Sequence, residues 1–340
     1  AYSVKYMQYK IILVLLLTGV ISSCSSLNFW SNESDEDLTT PAKLLPFTGD
    51  YSIDIAWKKS FKGSDDLGAF KPAFYSGQII VADSSGDIIS INPETGMINW
   101  QKALGRNLAA GVAAGFGRLV VSDVDGFVIS LDMESQEILW EQNIGGEVLA
   151  RAIVDAALVV VKNSVGELVA LDAMTGEKKW TFRSQLPALT VRGTGEPIIK
   201  DGIVFSTFDN GRLGAFQLNT GFFLWDGPIS FVSGSSELEN LLDADSSPVA
   251  FNQLIFAVNY QGNLTAFDTA QKRPVWNAKA SSFHSPVVGN GMIMVIQDNG
   301  SILSFSSGNL QPSWTSEEYL FRELSNGVLL NNTMMVGDLE

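Results

Sequence analysis

The sequence predicts an all-β fold that is built from a repeated unit of about 40 residues. Six turn glycines each stand fourteen residues before a tryptophan, at Gly86, Gly126, Gly166, Gly211, Gly262 and Gly300. Seven tryptophans mark the same point in successive units: Trp57, Trp100, Trp140, Trp180, Trp225, Trp276 and Trp314. Each unit contains short β-rich runs and no run long enough for a stacked helical repeat. This combination is typical of a β-propeller with four antiparallel strands per blade.

One unit illustrates the predicted strands. Residues 110–114 form a small-residue run, as expected where innermost strands crowd around an axis, and residues 119–122 form a β-rich run. The turn at residues 123–126 separates them from the alternating run 127–131, and residues 138–140 supply the outermost strand. We interpret the Asp/Asn-x-x-Gly and Thr-Gly segments as turns, and the tryptophan as a cover over the seam between blades. A residue that recurs in every blade does not mark a single active site.

The two ends of the repeat predict the size of the ring. Residues 53–58, which contain Trp57, have the pattern of an outermost strand without the three inner strands that should precede it. Propellers commonly close by pairing such a strand with the other end of the chain. Residues 336–340 look like the start of another Asp-x-x-Gly turn. We therefore predict an eight-bladed propeller over residues 47–340, incomplete at its C-terminus by roughly 50 residues.

The N-terminal residues have the pattern of a secretory signal. Lys10 precedes an apolar run at residues 11–17. This run is too short to span a bilayer as a mature helix, but it suits the core of a signal peptide. We predict a signal peptide over residues 1–23, with Met7 as the true start.

Cys24 is the only cysteine, and it follows this segment directly. Residues 21–24 resemble the bacterial lipobox, in which signal peptidase II cuts before the cysteine and the thiol carries a diacylglycerol. An exported protein with one unpaired thiol needs a reason for it, although a buried or chance cysteine is the alternative. Ser25 stands where an Asp would retain the protein at the inner membrane. We predict an outer-membrane lipoprotein with a flexible acidic tether over residues 24–46.

Charge and composition exclude several functions. The chain has 22 basic and 37 acidic residues, and the net charge of −15 repels phosphate backbones, so no nucleic-acid partner is predicted. One histidine and one cysteine form neither a catalytic pair nor a cluster of metal ligands. We therefore predict no metal, no cofactor and no enzymatic activity. His284 is interpreted as a loop or seam residue.

The repeat Asp-x-x-Gly followed by Thr-Gly-x-x-x-Trp resembles that of pyrroloquinoline-quinone (PQQ)-type propellers. Together with the lipobox and the acidic tether, it makes nearly the whole chain similar to the BamB family of lipoproteins, which belong to the outer-membrane β-barrel assembly (BAM) complex. The resemblance implies a scaffold on the periplasmic side of the outer membrane of a Gram-negative bacterium. It also implies binding to the POTRA domains of BamA, with the rest of the complex and unfolded outer-membrane proteins as further partners.

The two longest units, which end at Trp225 and Trp276, point to a binding face. Their extra residues fall between a tryptophan strand and the innermost strand of the next blade, hence on one side of the disc, and insertions in repeat proteins often build the binding face. The family resemblance places partner-binding residues in these two insertions, at Leu189, Val191, Arg192, Asp243 and Asp245. In the alternative interpretation, the aliphatic pair packs under its loop and the arginine makes an internal salt bridge.

Two other classes of function share this type of repeat. A quinone-dependent dehydrogenase is one, but the family resemblance implies that such enzymes are much longer, with calcium ligands near the axis and adjacent cysteines against the cofactor. A periplasmic module that binds carbohydrate or cell wall through aromatic rims is the other. Binding of the quinone at equal stoichiometry would favour the first, and retention on peptidoglycan would favour the second.

Overall fold

The computed structural model describes residues 40–45, 54–61, 70–185, 193–230, 246–306, 311–331 and 333–338. These residues form strands, turns and connecting segments, and no helix among them has the length and apolarity that a membrane crossing requires. Ala42–Glu340 is one compact unit, in which all the strands lie.

Six sheets of four antiparallel strands follow one another along the chain, and in each sheet the strands lie side by side in chain order. The strands of blades 1 to 3 are β1 Ala73–Tyr75, β2 Gln78–Ala82, β3 Asp87–Ile91, β4 Ile98–Ala103, β5 Leu108–Gly115, β6 Arg118–Asp123, β7 Phe127–Asp132, β8 Ile138–Asn143, β9 Ile153–Val154, β10 Leu158–Lys162, β11 Glu167–Asp172 and β12 Lys178–Arg183. This is the blade architecture that the sequence predicts.

Blades 4 to 6 continue the same order. Their strands are β13 Ile198–Lys200, β14 Ile203–Phe208, β15 Arg212–Gln217, β16 Phe223–Pro228, β17 Val249–Phe251, β18 Leu254–Val258, β19 Asn263–Asp268, β20 Arg273–Lys279, β21 Val287–Gly289, β22 Met292–Ile296, β23 Ile302–Ser306 and β24 Trp314–Ser316. Two more strands, β25 Val328–Leu330 and β26 Thr333–Met335, pair with each other as the start of a seventh blade.

The hydrophobic core lies between neighbouring blades. Both faces of the middle strands are covered, so β10 is buried along its whole length. The outermost strand β8, in contrast, buries only Trp140. One core cluster joins residues of blade 2, such as Val128, to residues of blade 3, such as Val161. Because each core is shared by two blades, burial of apolar surface holds adjacent blades together.

The Asp-x-x-Gly segments form the turns between second and third strands. In blade 2, Asp123 Oδ1 accepts hydrogen bonds from the backbone N–H groups of Asp125, at 3.0 Å, and Phe127, at 2.8 Å. Gly126 has φ +83°, and a Cβ there would lie 2.7 Å from the carbonyl oxygen of Gly146. In blade 2 the turn is therefore capped by a side-chain acceptor at its first position and has glycine at its last.

Tryptophan and the Thr-Gly turn meet at the seams. Trp57, Trp140 and Trp180 donate Nε1–H hydrogen bonds of 2.8, 2.9 and 2.7 Å to the backbone carbonyls of the next blade, at Pro93, Ala173 and Leu218 respectively. Each indole lies over the glycine of the facing turn, where a Cβ would come within 2.5–2.7 Å of the ring: Gly96, Gly176 and Gly221. This contact confirms the interpretation of the tryptophans as seam residues.

The first described segment of the propeller contacts the connection between blades 6 and 7. Ala42 N donates to the carbonyl of Leu320 at 2.8 Å, and Arg322 Nη1 donates to the carbonyl of Ala42 at 2.9 Å. Trp57 then covers blade 1 as an outermost strand would. Residues 54–58 nevertheless form no strand, and in this respect the sequence prediction is wrong. The reason is that no inner strand pairs with them in the described part of the chain.

Candidate functional site

The residues that the sequence predicts for partner binding lie outside the described part of the chain. Leu189, Val191 and Arg192 fall within residues 186–192, and the predicted lipidation site Cys24 falls within residues 1–39. The same holds for the two aspartates of residues 231–245, Asp243 and Asp245. These predictions therefore stay predictions, and the structure describes the residues that flank them.

Both predicted segments follow an outermost strand and precede the innermost strand of the next blade. Residues 186–192 come between β12 and β13, and residues 231–245 come between β16 and β17. Because the strands of a blade alternate in direction, the end of a fourth strand and the start of the next first strand lie at the same edge. The flanking residues therefore share one face of the ring, which we name the connector face: Gln185, Gly193, Ser230 and Ser246.

Hydrogen bonds fix the flanks of the second segment. Ser230 Oγ donates to Asn259 Oδ1 at 2.6 Å. Thr207 Oγ1 donates to the backbone carbonyl of Ser246 at 3.0 Å, and Ser246 Oγ donates to the carbonyl of Val258. All five residues are buried. A binding segment that starts and ends at such positions is mounted on a rigid support.

A ring of polar residues surrounds the axis on the same face. In six blades the residue two positions before the innermost strand takes part: Lys71, Arg151, Glu196, Ser247, Ser285 and Asn326. The backbone N of Glu196 donates to Ser247 Oγ at 2.9 Å, the N of Ser247 to Ser285 Oγ at 3.0 Å, and the N of Ser285 to Asn326 Oδ1 at 3.1 Å. Blades 4 to 7 are therefore linked in sequence around the centre.

Blades 1, 3 and 4 contribute charges to this ring. Arg151 Nε and Nη2 donate to the two carboxylate oxygens of Glu196 at 3.0 and 2.9 Å, and Lys71 Nζ lies 3.3 Å from Glu196 Oε1. Arg151 Nη1 also donates to the carbonyl of Pro72 at 3.2 Å. Blade 2 separates blades 1 and 3 in the chain, so these contacts reach past a blade. We name Lys71, Arg151 and Glu196 the axis ion cluster.

The axis ion cluster perturbs two titratable groups. Burial opposes ionisation of Glu196, but the hydrogen bonds from Arg151 and the charge of Lys71 outweigh it, so the pKa of Glu196 lies below its usual 4.5. Burial lowers the pKa of His284, and the charge of Lys71 lowers it further. A hydrogen bond with the backbone of Leu324 raises this pKa, but burial outweighs it. Glu196 is therefore ionised and His284 mostly neutral at neutral pH.

Sequence reasoning missed the axis ion cluster. The glycines and tryptophans that define the repeat lie far along the unit from the start of the innermost strand. Aligning the copies on their innermost strands places Lys71, Arg151 and Glu196 at the position of Ser247 and Ser285. At this position three blades carry a charged residue and two carry serine. This difference between blades is the signal in the sequence that could have indicated the axis ion cluster.

Comparison with known proteins agrees with this geometry. Residues 84–316 match the family model described as outer membrane protein assembly factor BamB. The chain belongs to the BamB family. It is 39% identical over 274 residues to BamB of Kangiella koreensis, which covers 80% of this chain and 68% of the relative. It is 36% identical over 335 residues to BamB of Pseudomonas aeruginosa, covering 98% of this chain and 86% of the relative.

Solved structures show the same fold. The crystal structure of BamB from Moraxella catarrhalis superposes with a TM-score of 0.75 at 24% identity, covering 81% of this chain and 83% of that one. A quinohemoprotein alcohol dehydrogenase from Pseudomonas putida superposes with a TM-score of 0.59 at 12% identity, covering 78% and 63%. The resemblance to PQQ-type propellers therefore extends to the fold, and family membership rests on the BamB match.

Proposed function

We propose that this chain is a non-enzymatic scaffold subunit of the BAM complex, which binds the POTRA domains of BamA and assists the folding and insertion of β-barrel proteins. The single observation that carries the proposal is membership of the BamB family, whose members are named outer membrane protein assembly factors. Leu189, Val191 and Arg192, together with the aspartate pair at residues 243 and 245, are the proposed contacts. Their flanks share the connector face, which suits one partner surface.

The chemistry of these residues suits a binding patch. Two aliphatic anchors next to an arginine combine apolar burial with the residue type that is enriched at interface hot spots. The aspartates can orient the arginine or pair with partner charges. We also propose that the chain has no catalytic activity, since its likeness to dehydrogenases is one of fold at 12% identity.

Arg192→Glu is expected to weaken POTRA binding on the order of 100-fold, because it replaces the cation of the proposed hot spot with an anion. The measurement is a pull-down and titration with the purified POTRA region of BamA. Arg273→Glu is the matched control, because it makes the same change of charge on an exposed residue at the start of β20, on the opposite face. Equal losses of POTRA affinity in the two variants, or a lower melting temperature for Arg192→Glu, would show that these residues are not the partner-binding patch.

Cys24→Ser is expected to release the protein from the outer membrane into the soluble periplasm. We propose that Cys24 carries the acyl anchor and that the acidic tether holds the propeller on the periplasmic side. Several acyl chains on one residue anchor a protein in the membrane far more firmly than a single chain does. Their removal should therefore abolish membrane attachment almost completely. Membrane fractionation in a Gram-negative host measures it, with Ser25→Ala as the control. Retention of the serine variant in the membrane would contradict the anchor.

A further inference from the structure

Blade 4 departs from the repeat at its seam with blade 3. In blade 1 the first residue of the turn, Asp83, accepts hydrogen bonds at Oδ1 from the backbone N–H groups of Ser85, at 3.0 Å, and Asp87, at 3.1 Å. Blade 4 has Phe208 at this position. A phenyl ring cannot cap the turn, and this ring is buried in the seam instead. Blade 4 has therefore exchanged a capping interaction for an aromatic ring.

A glycine makes room for this exchange. Gly214 stands in β15 where blades 1 and 2 have Ile89 and Ile129. A Cβ at Gly214 would lie 2.9 Å from the ring of Phe216 and 3.0 Å from the ring of Phe208. The two departures from the repeat are thus coupled, since the ring at position 208 requires the glycine at position 214.

Four phenylalanine rings meet at this seam. The ring centroid of Phe182, from the outermost strand of blade 3, lies 4.5 Å from Phe216, 5.8 Å from Phe208 and 6.1 Å from Phe223 of blade 4, and it is stacked on the last of these. The rings line an open cavity of about 340 Å³, which we name the aromatic groove. By comparison, the core cluster at the seam of blades 2 and 3 consists of aliphatic side chains and Trp140, with no phenylalanine among its described members.

The rim of the aromatic groove is accessible and cationic. Phe223 is 43% exposed, and the side chain of Arg183 is 69% exposed. Arg212 also lines the groove, where it pairs with Asp226. Guanidinium groups stack on aromatic faces, and aromatic rings attract one another beyond the area that they bury. The groove therefore offers ring faces to an aromatic side chain from outside, together with the exposed guanidinium of Arg183, which lies 3.8 Å from the carboxylate of Glu167.

We propose that the aromatic groove binds an aromatic side chain from an extended, unfolded segment of an outer-membrane β-barrel protein. Strands of such barrels carry aromatic girdles at both membrane interfaces. The strands β12 and β16 are the edges of their sheets, so an extended segment can lie along the seam while it inserts a ring. The inference rests on the proposed function, because assembly of outer-membrane proteins supplies clients of this chemistry.

The test uses the purified full chain and a short fluorescein-labelled peptide in which tyrosine alternates with serine and threonine. Fluorescence anisotropy should show that Phe223→Lys weakens binding about five- to tenfold, the value of one aromatic pair. Blade 3 has Lys178 at the equivalent position, so the substitution suits the fold. Phe222→Lys is the matched control, since Phe222 is 67% exposed and does not line the groove. A peptide with leucine for tyrosine should bind about fivefold more weakly.

A second variant restores the repeat. The triple substitution Phe208→Asp, Gly214→Ile and Phe216→Leu places in blade 4 the residues that blade 2 carries, Asp123, Ile129 and Leu131. Phe216 is included because a Cβ at position 214 would otherwise lie 2.9 Å from its ring. It caps the turn and fills the seam with an aliphatic side chain, so the melting temperature should be kept while peptide binding is lost. Loss of peptide binding at an unchanged melting temperature would show that binding depends on the groove itself and not on the stability of the propeller.

Four results would overturn the proposal. The first is equal peptide affinity of the native chain and Phe223→Lys, and the second is equal affinity for the tyrosine and leucine peptides. The third is loss of POTRA binding in Phe223→Lys with peptide affinity unchanged, which would make the groove part of the partner interface and leave the proposed function intact. Self-association of the native chain that Phe223→Lys abolishes, without peptide binding, would also overturn it.

Discussion

Gly221→Ala is expected to destabilise the propeller by about 3 kcal/mol. Gly221 has φ +68°, a conformation that costs an L-residue about 1 kcal/mol or more. The new Cβ would also lie 2.5 Å from the indole of Trp180, which must move away and give up its hydrogen bond to Leu218. Thermal unfolding followed by circular dichroism should show a melting temperature lower by about 6 °C or more.

The control for this substitution lies in the same chain. Blade 2 has Gln136 and blade 5 has Lys272 at the position of Gly221, both with positive φ. The tryptophan that faces blade 5, Trp225, packs beside Phe205 and Phe267. Because a Cβ is already present in blade 2, Gln136→Ala should leave the melting temperature within about 1 °C. A destabilisation of only about 1 kcal/mol in Gly221→Ala, the cost of the positive φ alone, would show that the indole contact does not matter.

Glu196→Ala is expected to destabilise the ring by about 2–3 kcal/mol, because it leaves Arg151 and Lys71 without their shared carboxylate. This loss of stability is smaller than that expected for a fully buried ion pair, because the side chains of Glu196 and Lys71 are 14% and 36% exposed. Glu196→Gln, which keeps an acceptor oxygen, should lose less. Glu177→Gln is the control, because Glu177 pairs with Lys179 on the exposed surface. Equal melting temperatures of all three variants would contradict a structural role for the axis ion cluster.

The effect of Glu196 depends on pH in a defined direction. The pKa of Glu196 is lower in the folded chain than its usual value of 4.5. At a pH between the folded-state pKa and 4.5, the unfolded chain therefore binds more protons than the folded chain. The stability contributed by ionised Glu196 is therefore complete above pH 4.5 and is lost as the pH falls through the folded-state pKa. Native and Glu196→Gln melting temperatures should differ at neutral pH and converge in this acidic range. A difference that grows with acidity would contradict the assignment.

The repeat made the blades predictable. Glycine, a side-chain acceptor and tryptophan recur because each blade repeats the same local geometry, which needs a positive φ, a capped turn and a covered seam. The strand predicted over residues 53–58 is absent from the described residues 54–58, since an outermost strand forms only against an inner neighbour. The partner-binding residues at 189–192 and 243–245 were predicted from two long units and a family resemblance, and they await the POTRA measurement.

The sequence by itself determined the all-β class, the blade order, the turn and seam residues, and the family, because these depend on local periodicity that is written into every copy. Only the tertiary structure decided which residues meet around the axis and at the seam of blades 3 and 4. Lys71, Arg151 and Glu196 lie in three different blades, and Phe182 and Phe208 in two. Their contacts depend on how neighbouring blades are oriented, which no local pattern specifies.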